Sequence, residues 1–156
     1  MEIRKATIKD LDKLTDLYRM LLKHHKENFG GYHVYNEGMV KSQVGVFKNI
    51  IESNESFVMV ASEGDAILGM LVAIYAKGEP NHPYKKPVLV QDTVFLPEHR
   101  GKGVGHKILD KTIEICKKEG RDAIHMWVAL ENESLNRSLE EDYDFKNIFY
   151  FKSLKL

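Results

Sequence analysis

The sequence holds one cysteine, Cys116, among its 156 residues, so no disulfide can form within the chain. A chain without disulfides belongs by default to the reducing interior of the cell. Cys116 falls on the apolar repeat of a predicted helix, where we expect a small buried side chain rather than a nucleophile. The first residues also lack the uninterrupted apolar stretch of a signal peptide, and a cytoplasmic location is expected.

Neither sign of charge is in excess, because lysine plus arginine and aspartate plus glutamate number 23 each. A balanced chain does not offer the basic surface that attracts nucleic acids or anionic membranes. No apolar run approaches the length needed to span a membrane. We therefore expect neither a nucleic acid nor a membrane as a partner.

Prolines are also few, and three of the four lie within residues 78–87, which predicts an irregular connection there. Elsewhere the hydrophobic pattern alternates between strand and helical spacing. It predicts strands at 2–6, 57–61, 67–76, 88–95, 123–130 and 146–155. It predicts helices from Thr7 to about residue 25, around 40–51, from 104 to about 120 and at 133–142, with a loop at 28–38.

The predicted order of elements is β-α-α-β-β-β-α-β-α-β, without an internal repeat or a second-domain linker. Hairpins in the first half and strand-helix-strand units in the second are typical of an α/β fold. We therefore expect a single domain over residues 1–156, built on a mixed, mostly antiparallel twisted sheet with helices on both faces.

The turn from Arg100 to Gly105 carries three glycines between a predicted buried strand and a predicted helix. Glycine tolerates positive φ and lets the backbone approach a ligand closely. The first turn of the helix adds unpaired N–H groups and the positive end of its dipole. Together with the side chains of Arg100 and Lys102, these groups predict a site for a pyrophosphate.

Two common phosphate motifs do not match this turn. A Walker loop needs glycine five positions before a Gly-Lys pair and Ser or Thr after it, and these positions hold Leu96 and Gly103. The dinucleotide fingerprint G-x-G-x-x-G, begun at Gly101, needs glycine where His106 stands. It also belongs to an early strand-turn-helix unit, whereas this turn lies two thirds of the way along the chain.

Arg100-x-x-Gly103-x-Gly105, after a strand and Pro97-Glu98, resembles the Q/R-x-x-G-x-G/A pyrophosphate loop of the GNAT family of N-acetyltransferases. The order of elements along the whole chain is similar to that family, as is the opening Ile3-Arg4-Lys5-Ala6-Thr7 with Asp10. The resemblance implies acetyl-CoA as the acyl donor and transfer to a primary amine of a small molecule or protein. Direct attack in a ternary complex is expected, because no well-placed nucleophile suggests a covalent acyl-enzyme, and homodimers are common in the family.

The resemblance also implies which residues bind the donor. The pantetheine arm would lie along the backbone of Val94, Phe95 and Leu96, in the manner of an added strand. Asn132 would make a further contact to the arm. The pyrophosphate would be bound by backbone amides of the turn, which are those of Arg100, Gly101, Lys102, Gly103, Val104, Gly105 and His106.

The catalytic groups are less completely matched. A carboxylate on the strand before the loop is the usual base in the family, and Asp92 occupies such a position, although a structural carboxylate at a bulge is an equal alternative. Gln91 stands where many relatives carry glutamate. The tyrosine that relatives place in the last helix is missing, and Glu140 stands at its position. Tyr143 would point to a different side of a helix and could act as the acid only through an altered turn; the third alternative is that the thiolate leaves unassisted.

The region between the first two helices walls the acceptor site in the family. Tyr32, His33 and Tyr35 fall there and are candidate substrate contacts, with an exposed variable loop as the alternative. Because the tyrosine is missing, a non-catalytic acyl-CoA-binding sensor remains an alternative to the enzyme. The histidines, carboxylates and cysteine show no metal-ligand spacing, and no metal is expected.

Overall fold

The structure, a computed structural model, describes residues 1–28, 35–53, 56–78, 80–81, 83–129 and 132–146. The chain divides into two compact units, Met1–Met126 and Trp127–Leu156. Each unit is described by itself, and a single functional domain over residues 1–156 stays a prediction. Within the described ranges, no helix combines the length and apolar character required to cross a membrane.

The first unit is an open five-stranded sheet in the order β1-β2-β3-β4-β5. The strands are β1 Glu2–Lys5, β2 Ser56–Glu63, β3 Ala66–Tyr75, β4 Pro87–Phe95 and β5 Ala123–Met126. Successive pairs are antiparallel except β4 with β5, which are parallel. The predicted mixed, mostly antiparallel sheet is confirmed.

Three helices cover this sheet: α1 Leu11–Asn28, α2 Glu37–Glu52 and α3 Val104–Lys118. The apolar stripes of α1 and α2 pack on one face of the sheet, against a cluster that includes Val58, Val60, Met70, Val72 and Val94. Helix α3 packs against the sheet through its own buried stripe, which includes Ile108 and Cys116. Because side chains alternate along a strand, the remaining buried strand residues serve the opposite face, and helices lie on both faces as predicted.

A charged pair fixes the entry into α1. The Arg4 guanidinium donates to both carboxylate oxygens of Asp10, at 2.8 and 2.9 Å. The same carboxylate accepts from the backbone N–H of Thr7 at 2.7 Å and from its hydroxyl at 3.0 Å. Asp10 is only 4% exposed, and its partners lower its pKa to about 2, mainly through the bond from Arg4.

Several predicted boundaries shift. Helix α1 continues to Asn28, and α2 begins at Glu37, so Gly38 belongs to a helix rather than to the predicted loop. Asn36 explains the early start of α2, because its side chain accepts from the Met39 N–H at 2.9 Å and caps the helix. Strand β5 ends at Met126 rather than at residue 130. The predicted closing strand at 146–155 lies outside the described residues, apart from Lys146.

The second unit contains helix α4, Glu133–Tyr143. Asn132 caps its start, and Asp144 ends it in the left-handed region at φ 58°. The N–H groups of Asp144 and Phe145 both donate to the Leu139 carbonyl. Asp144 therefore adopts the conformation that glycine favours at a helix C-terminus.

Candidate active site

Strand β4 carries an extra residue in the middle of its pairing with β3. Val72 pairs with Asp92 and Ala73 with Val90, so Gln91 has no partner across the ladder and forms a bulge. On the other side, the parallel pairing of β4 with β5 ends at Val90 and Met126. Beyond the bulge, β4 continues to Phe95 without pairing to β5, and this edge of the strand is open among the described residues.

The three residues expected to bind pantetheine differ in which edge of β4 their backbone groups face. Leu96 donates its N–H to the Leu68 carbonyl at 2.9 Å, so it faces β3. Since backbone groups alternate along a strand, Val94 also faces β3, whereas Phe95 points its N–H and carbonyl toward the open edge. The N–H of Phe95 is therefore oriented to hydrogen-bond an added strand-like ligand, while its carbonyl accepts from the Arg100 Nε at 3.2 Å.

Glycines shape the turn after β4. Gly101 and Gly103 have φ of 69° and 73°, in the left-handed region that favours glycine. Helix α3 begins at Val104, and the first bond of helical spacing at this end joins the Lys107 N–H to the Gly103 carbonyl. The amides of Val104 and Gly105 precede it and have no acceptor within the helix, as an anion site at a helix N-terminus requires.

Arg100 differs from the other residues of the turn because its backbone N–H and its side chain both bond to the protein. Its backbone N–H donates to the Pro97 carbonyl at 3.2 Å, and its Nε donates to the Phe95 carbonyl at 3.2 Å. Arg100 thus ties the turn to the end of β4. The amides that follow Arg100, rather than its own, are the ones oriented by the glycines.

A cleft of about 550 Å³ lies between α1 and the start of this turn. Its lining is one face of α1 together with two residues of the turn: Asp16, Arg19, Met20, Lys23, His24, Glu27, Pro97 and Arg100. Arg19 is engaged by Asp16 and Glu37. The cleft therefore presents charges of both signs next to the turn.

Asp92 lies on the face of the sheet covered by α1 and α2. It pairs with Val72 and is two residues from Val94, and both valines belong to the core cluster on that face. Its Oδ2 atom is buried and has no hydrogen-bond partner among the described residues. Burial raises the pKa of Asp92 to about 6. A carboxylate of this kind is suited to exchange a proton near neutral pH.

Of the three candidate acceptor contacts, Tyr35 is described, while Tyr32 and His33 lie outside the described residues. The Tyr35 hydroxyl bonds to the Glu37 carboxylate. The Lys23 Nζ lies over the Tyr35 ring, 5.7 Å from its centre. Tyr35 is thus linked to the α1 face that lines the cleft, since Lys23 belongs to both.

The remaining candidates belong to the second unit. The Asn132 side-chain oxygen accepts from the Leu135 N–H at 3.4 Å, and this side chain caps α4. Glu140 is exposed and Tyr143 is half-buried. They are three residues apart on α4, which places them on the same face of the helix, while the neighbouring Leu139 is buried.

Comparison with known proteins shows to which family the chain belongs. The model of the acetyltransferase (GNAT) family matches residues 14–145. The chain belongs to this family. An uncharacterized N-acetyltransferase of Archaeoglobus fulgidus is 28% identical over 138 residues, which cover 88% of each chain.

Solved structures show the same fold. The tetramutant of the BH1408 protein from Bacillus halodurans matches with a TM-score of 0.85 at 24% identity, over 100% of both chains. A predicted acetyltransferase from Clostridium acetobutylicum, solved with acetyl-CoA, matches with a TM-score of 0.77 at 20% identity. It covers 99% of this chain and 95% of that one.

As a GNAT protein, the chain is an acetyl-CoA-dependent N-acetyltransferase, and the resemblance found in the sequence is confirmed. The open edge at Phe95 and the glycine-shaped amides fit an extended arm that ends in a pyrophosphate. No group of three or more His, Cys, Asp or Glu side chains suited to a metal ion occurs in the part of the chain that the structure describes.

Sequence reasoning missed two residues at this site. Tyr18 on α1 packs against the core cluster, whereas its place in the sequence indicates only a helical apolar repeat. Gly69 on β3 faces Phe95, and no feature of its position in the sequence indicated a close approach. Both roles depend on pairing between elements distant in sequence.

Proposed function

We propose that this chain acetylates a primary amine by direct attack in a ternary complex, with Asp92 accepting the proton of the amine. The observation that carries this proposal is the buried, unpartnered Oδ2 of Asp92 on the strand whose edge opens beyond the bulge. Acetyl-CoA supplies the acetyl group as a thioester: the amine nitrogen bonds to the acetyl carbon, the carbon–sulfur bond breaks, and CoA leaves as a thiolate.

Binding of the donor is assigned to the backbone. The open edge at Phe95 accepts the pantetheine arm, and the amides from Gly101 to His106 accept the pyrophosphate at the N-terminus of α3. The Arg100 and Lys102 side chains add positive charge beside it. Asn132 is proposed to contact the arm.

The environment of Asp92 supports its role as a base. An alkyl amine has a pKa of about 10 and must lose a proton before it can attack a thioester. A carboxylate with a pKa of about 6 is ionised at neutral pH, and it is a stronger base than an ordinary aspartate. An N–H of the bulge is proposed to stabilise negative charge on the carbonyl oxygen, a contribution of about 3 kcal/mol for one donor.

Glu140 and Tyr143, which share one face of α4, are the two candidates for the acid that protonates the departing thiolate. A CoA thiol has a pKa of about 8.5, so protonation assists its departure without being indispensable. Replacing either residue should therefore cost less activity than replacing Asp92. The acceptor is proposed to enter by the cleft between α1 and the turn, with Tyr35 on its approach, and Tyr32 and His33 stay candidate acceptor contacts.

A thiol-release assay with acetyl-CoA and a panel of primary amines tests the proposal. The panel should include polyamines, amino-acid and sugar amines, aminoglycosides and a lysine peptide, with the acetylated product identified by mass spectrometry. Asp92→Asn should lower kcat at least about 100-fold on any amine that reacts. Asp65→Asn, which changes an exposed carboxylate at the β2–β3 turn, should leave kcat unchanged.

Failure of every amine to react while acetyl-CoA binds would contradict the proposal. Full activity in Asp92→Asn would remove Asp92 from the mechanism.

A further inference from the structure

Tyr18 and Asp92 face the same part of the core from two different elements. Helix α1 packs across β3 and β4, and Tyr18 packs against the cluster that contains Val72 and Val94. These two valines flank Asp92, one across the β3–β4 ladder and one along β4. Tyr18 and Asp92 thus approach the same core cluster, on the face of the sheet covered by α1 and α2, from α1 and from β4.

The ring of Tyr18 is held in place by an aromatic contact. It meets the ring of Phe47 edge to face, with the centroids 5.9 Å apart and the planes at 88°. Phe47 is fully buried on α2. Packing of its ring thus holds Tyr18 in place, so its hydroxyl is not needed for this and can bind a ligand.

The charge of Asp92 acts on Tyr18, although no hydrogen bond joins the two side chains among the described residues. The pKa of Tyr18 is raised by burial and, in second place, by the charge of Asp92. The Asp92 Oδ2 nevertheless has no hydrogen-bond partner among the described residues. Across the ladder, β3 presents Val72 opposite Asp92 and Leu71 opposite Thr93.

We propose that Tyr18 is a positioning residue for the acceptor, and that its hydroxyl oxygen and the Asp92 carboxylate together hold the two N–H groups of a primary amine. This inference rests on the proposed function of Asp92. A neutral primary amine has two N–H groups and one lone pair. The amine binds in its neutral form with one N–H on each oxygen, so its lone pair points away from both oxygens toward the acetyl carbon. As the nitrogen–carbon bond forms, the nitrogen becomes acidic and Asp92 accepts its N–H proton.

This arrangement defines the class of acceptor. A secondary amine has a single N–H and can engage only one of the two oxygens. The other oxygen then stays buried without a partner, which is costly. The site should therefore select primary over secondary amines, and the selection should depend on the Tyr18 hydroxyl.

The first test compares a primary amine that reacts with its N-methyl derivative. Wild-type enzyme should prefer the primary amine, and Tyr18→Phe should lower its kcat/KM about tenfold, as expected for one lost hydrogen bond. The same variant should leave kcat/KM for the N-methyl amine nearly unchanged, so the ratio of the two kcat/KM values should fall. Tyr75→Phe is the matched control, because it removes a hydroxyl that bonds to Glu119 and should leave the preference unchanged.

The second test does not depend on turnover. The carboxyl carbon of Asp92 is titrated by NMR in the wild type, in Tyr18→Phe and in Tyr75→Phe. If the Tyr18 hydroxyl polarises the Asp92 site, its removal should raise the pKa of Asp92 by about 0.5 unit or more. The Tyr75→Phe titration should match that of the wild type.

The outcomes separate this inference from the proposed function. An unchanged Asp92 titration in a folded Tyr18→Phe protein would overturn the role of Tyr18, and so would an unchanged amine preference. A shifted titration with no amine turnover in the wild type would instead sink the proposed function and retain the Tyr18–Asp92 pair. The Phe replacement retains the ring that packs on Phe47, so the variant is expected to fold.

Discussion

Gly69 lies directly beneath Phe95, so closely that a Cβ atom on Gly69 would come within 2.1 Å of the Phe95 ring. The two residues pair across β3 and β4. The ring of Phe95 also approaches Gly105, where a Cβ would lie 3.4 Å from it. One aromatic side chain thus links the middle of the sheet to the first turn of α3, and two glycines make room for it.

Gly69→Ala should displace Phe95 and, with it, the backbone proposed to bind the pantetheine arm. We expect a loss of about 1–3 kcal/mol in the free energy of unfolding from overpacking, and a weaker affinity for acetyl-CoA by calorimetry. Gly45→Ala is the control, because nothing lies within 4 Å of a Cβ at that helical position. It should raise stability by up to about 1 kcal/mol and leave acetyl-CoA affinity unchanged. Wild-type stability and affinity in Gly69→Ala would contradict this account.

Asp92→Asn should change stability and activity in opposite directions. The folded-state pKa of about 6 lies above the ordinary aspartate value of 3.8, so ionised Asp92 lowers the free energy of unfolding above pH 6. Replacing it should stabilise the protein by about 1–2 kcal/mol at pH 8. Since folding favours the protonated carboxyl, this advantage should disappear as the pH falls toward 4. Urea denaturation across this range measures it, and a variant less stable than wild type at pH 8 would argue that Asp92 is structural.

Asp10→Asn should show the opposite dependence on pH. The folded-state pKa of about 2 lies below the ordinary aspartate value of 3.8, so ionised Asp10 stabilises the fold above pH 4. The variant should lose about 2 kcal/mol at pH 7, and the difference from wild type should vanish as the pH falls through 2. Asp12→Asn, at an exposed position in the first turn of α1, should show no such loss. Equal stability of Asp10→Asn and wild type at pH 7 would refute the contribution of the Arg4 pair.

Asp144→Gly should stabilise the end of α4. Asp144 adopts φ of 58°, and a residue other than glycine pays about 1 kcal/mol in that region. Its contact with Lys146 is an exposed ion pair of little value. Hydrogen exchange at Asp144 and Phe145, whose amides bond to Leu139, should slow in the variant. Asp144→Ala keeps the strain and should not slow it; faster exchange in Asp144→Gly would contradict the explanation.

The sequence predicted those parts of the fold that local pattern determines. Alternating apolar residues located β2, β3 and β4, and the glycine turn located the start of α3. The bulge at Gln91 could be expected only from the family resemblance, because nothing in the local sequence distinguishes an unpaired strand residue. The ends of α1, α2 and β5 depended on a cap at Asn36 and on pairing that stops at Met126, and neither follows from periodicity.

The sequence also predicted only part of the candidate site. The donor loop carries its chemistry in its own backbone, so a short motif was sufficient to find it. The neighbours of Asp92 come from α1 and β3, which are distant in sequence. Tyr18 is therefore a candidate only because α1 packs against β4, which its sequence position does not indicate.

The most direct test of the account is the pH dependence of kcat/KM for acetylation of a primary amine, measured with wild type and Asp92→Asn. We predict that wild-type kcat/KM falls as the pH drops through about 6, the pKa of Asp92. Asp92→Asn should be slower throughout and should lack that acidic limb. An acidic limb retained in Asp92→Asn with wild-type rates would contradict the central claim.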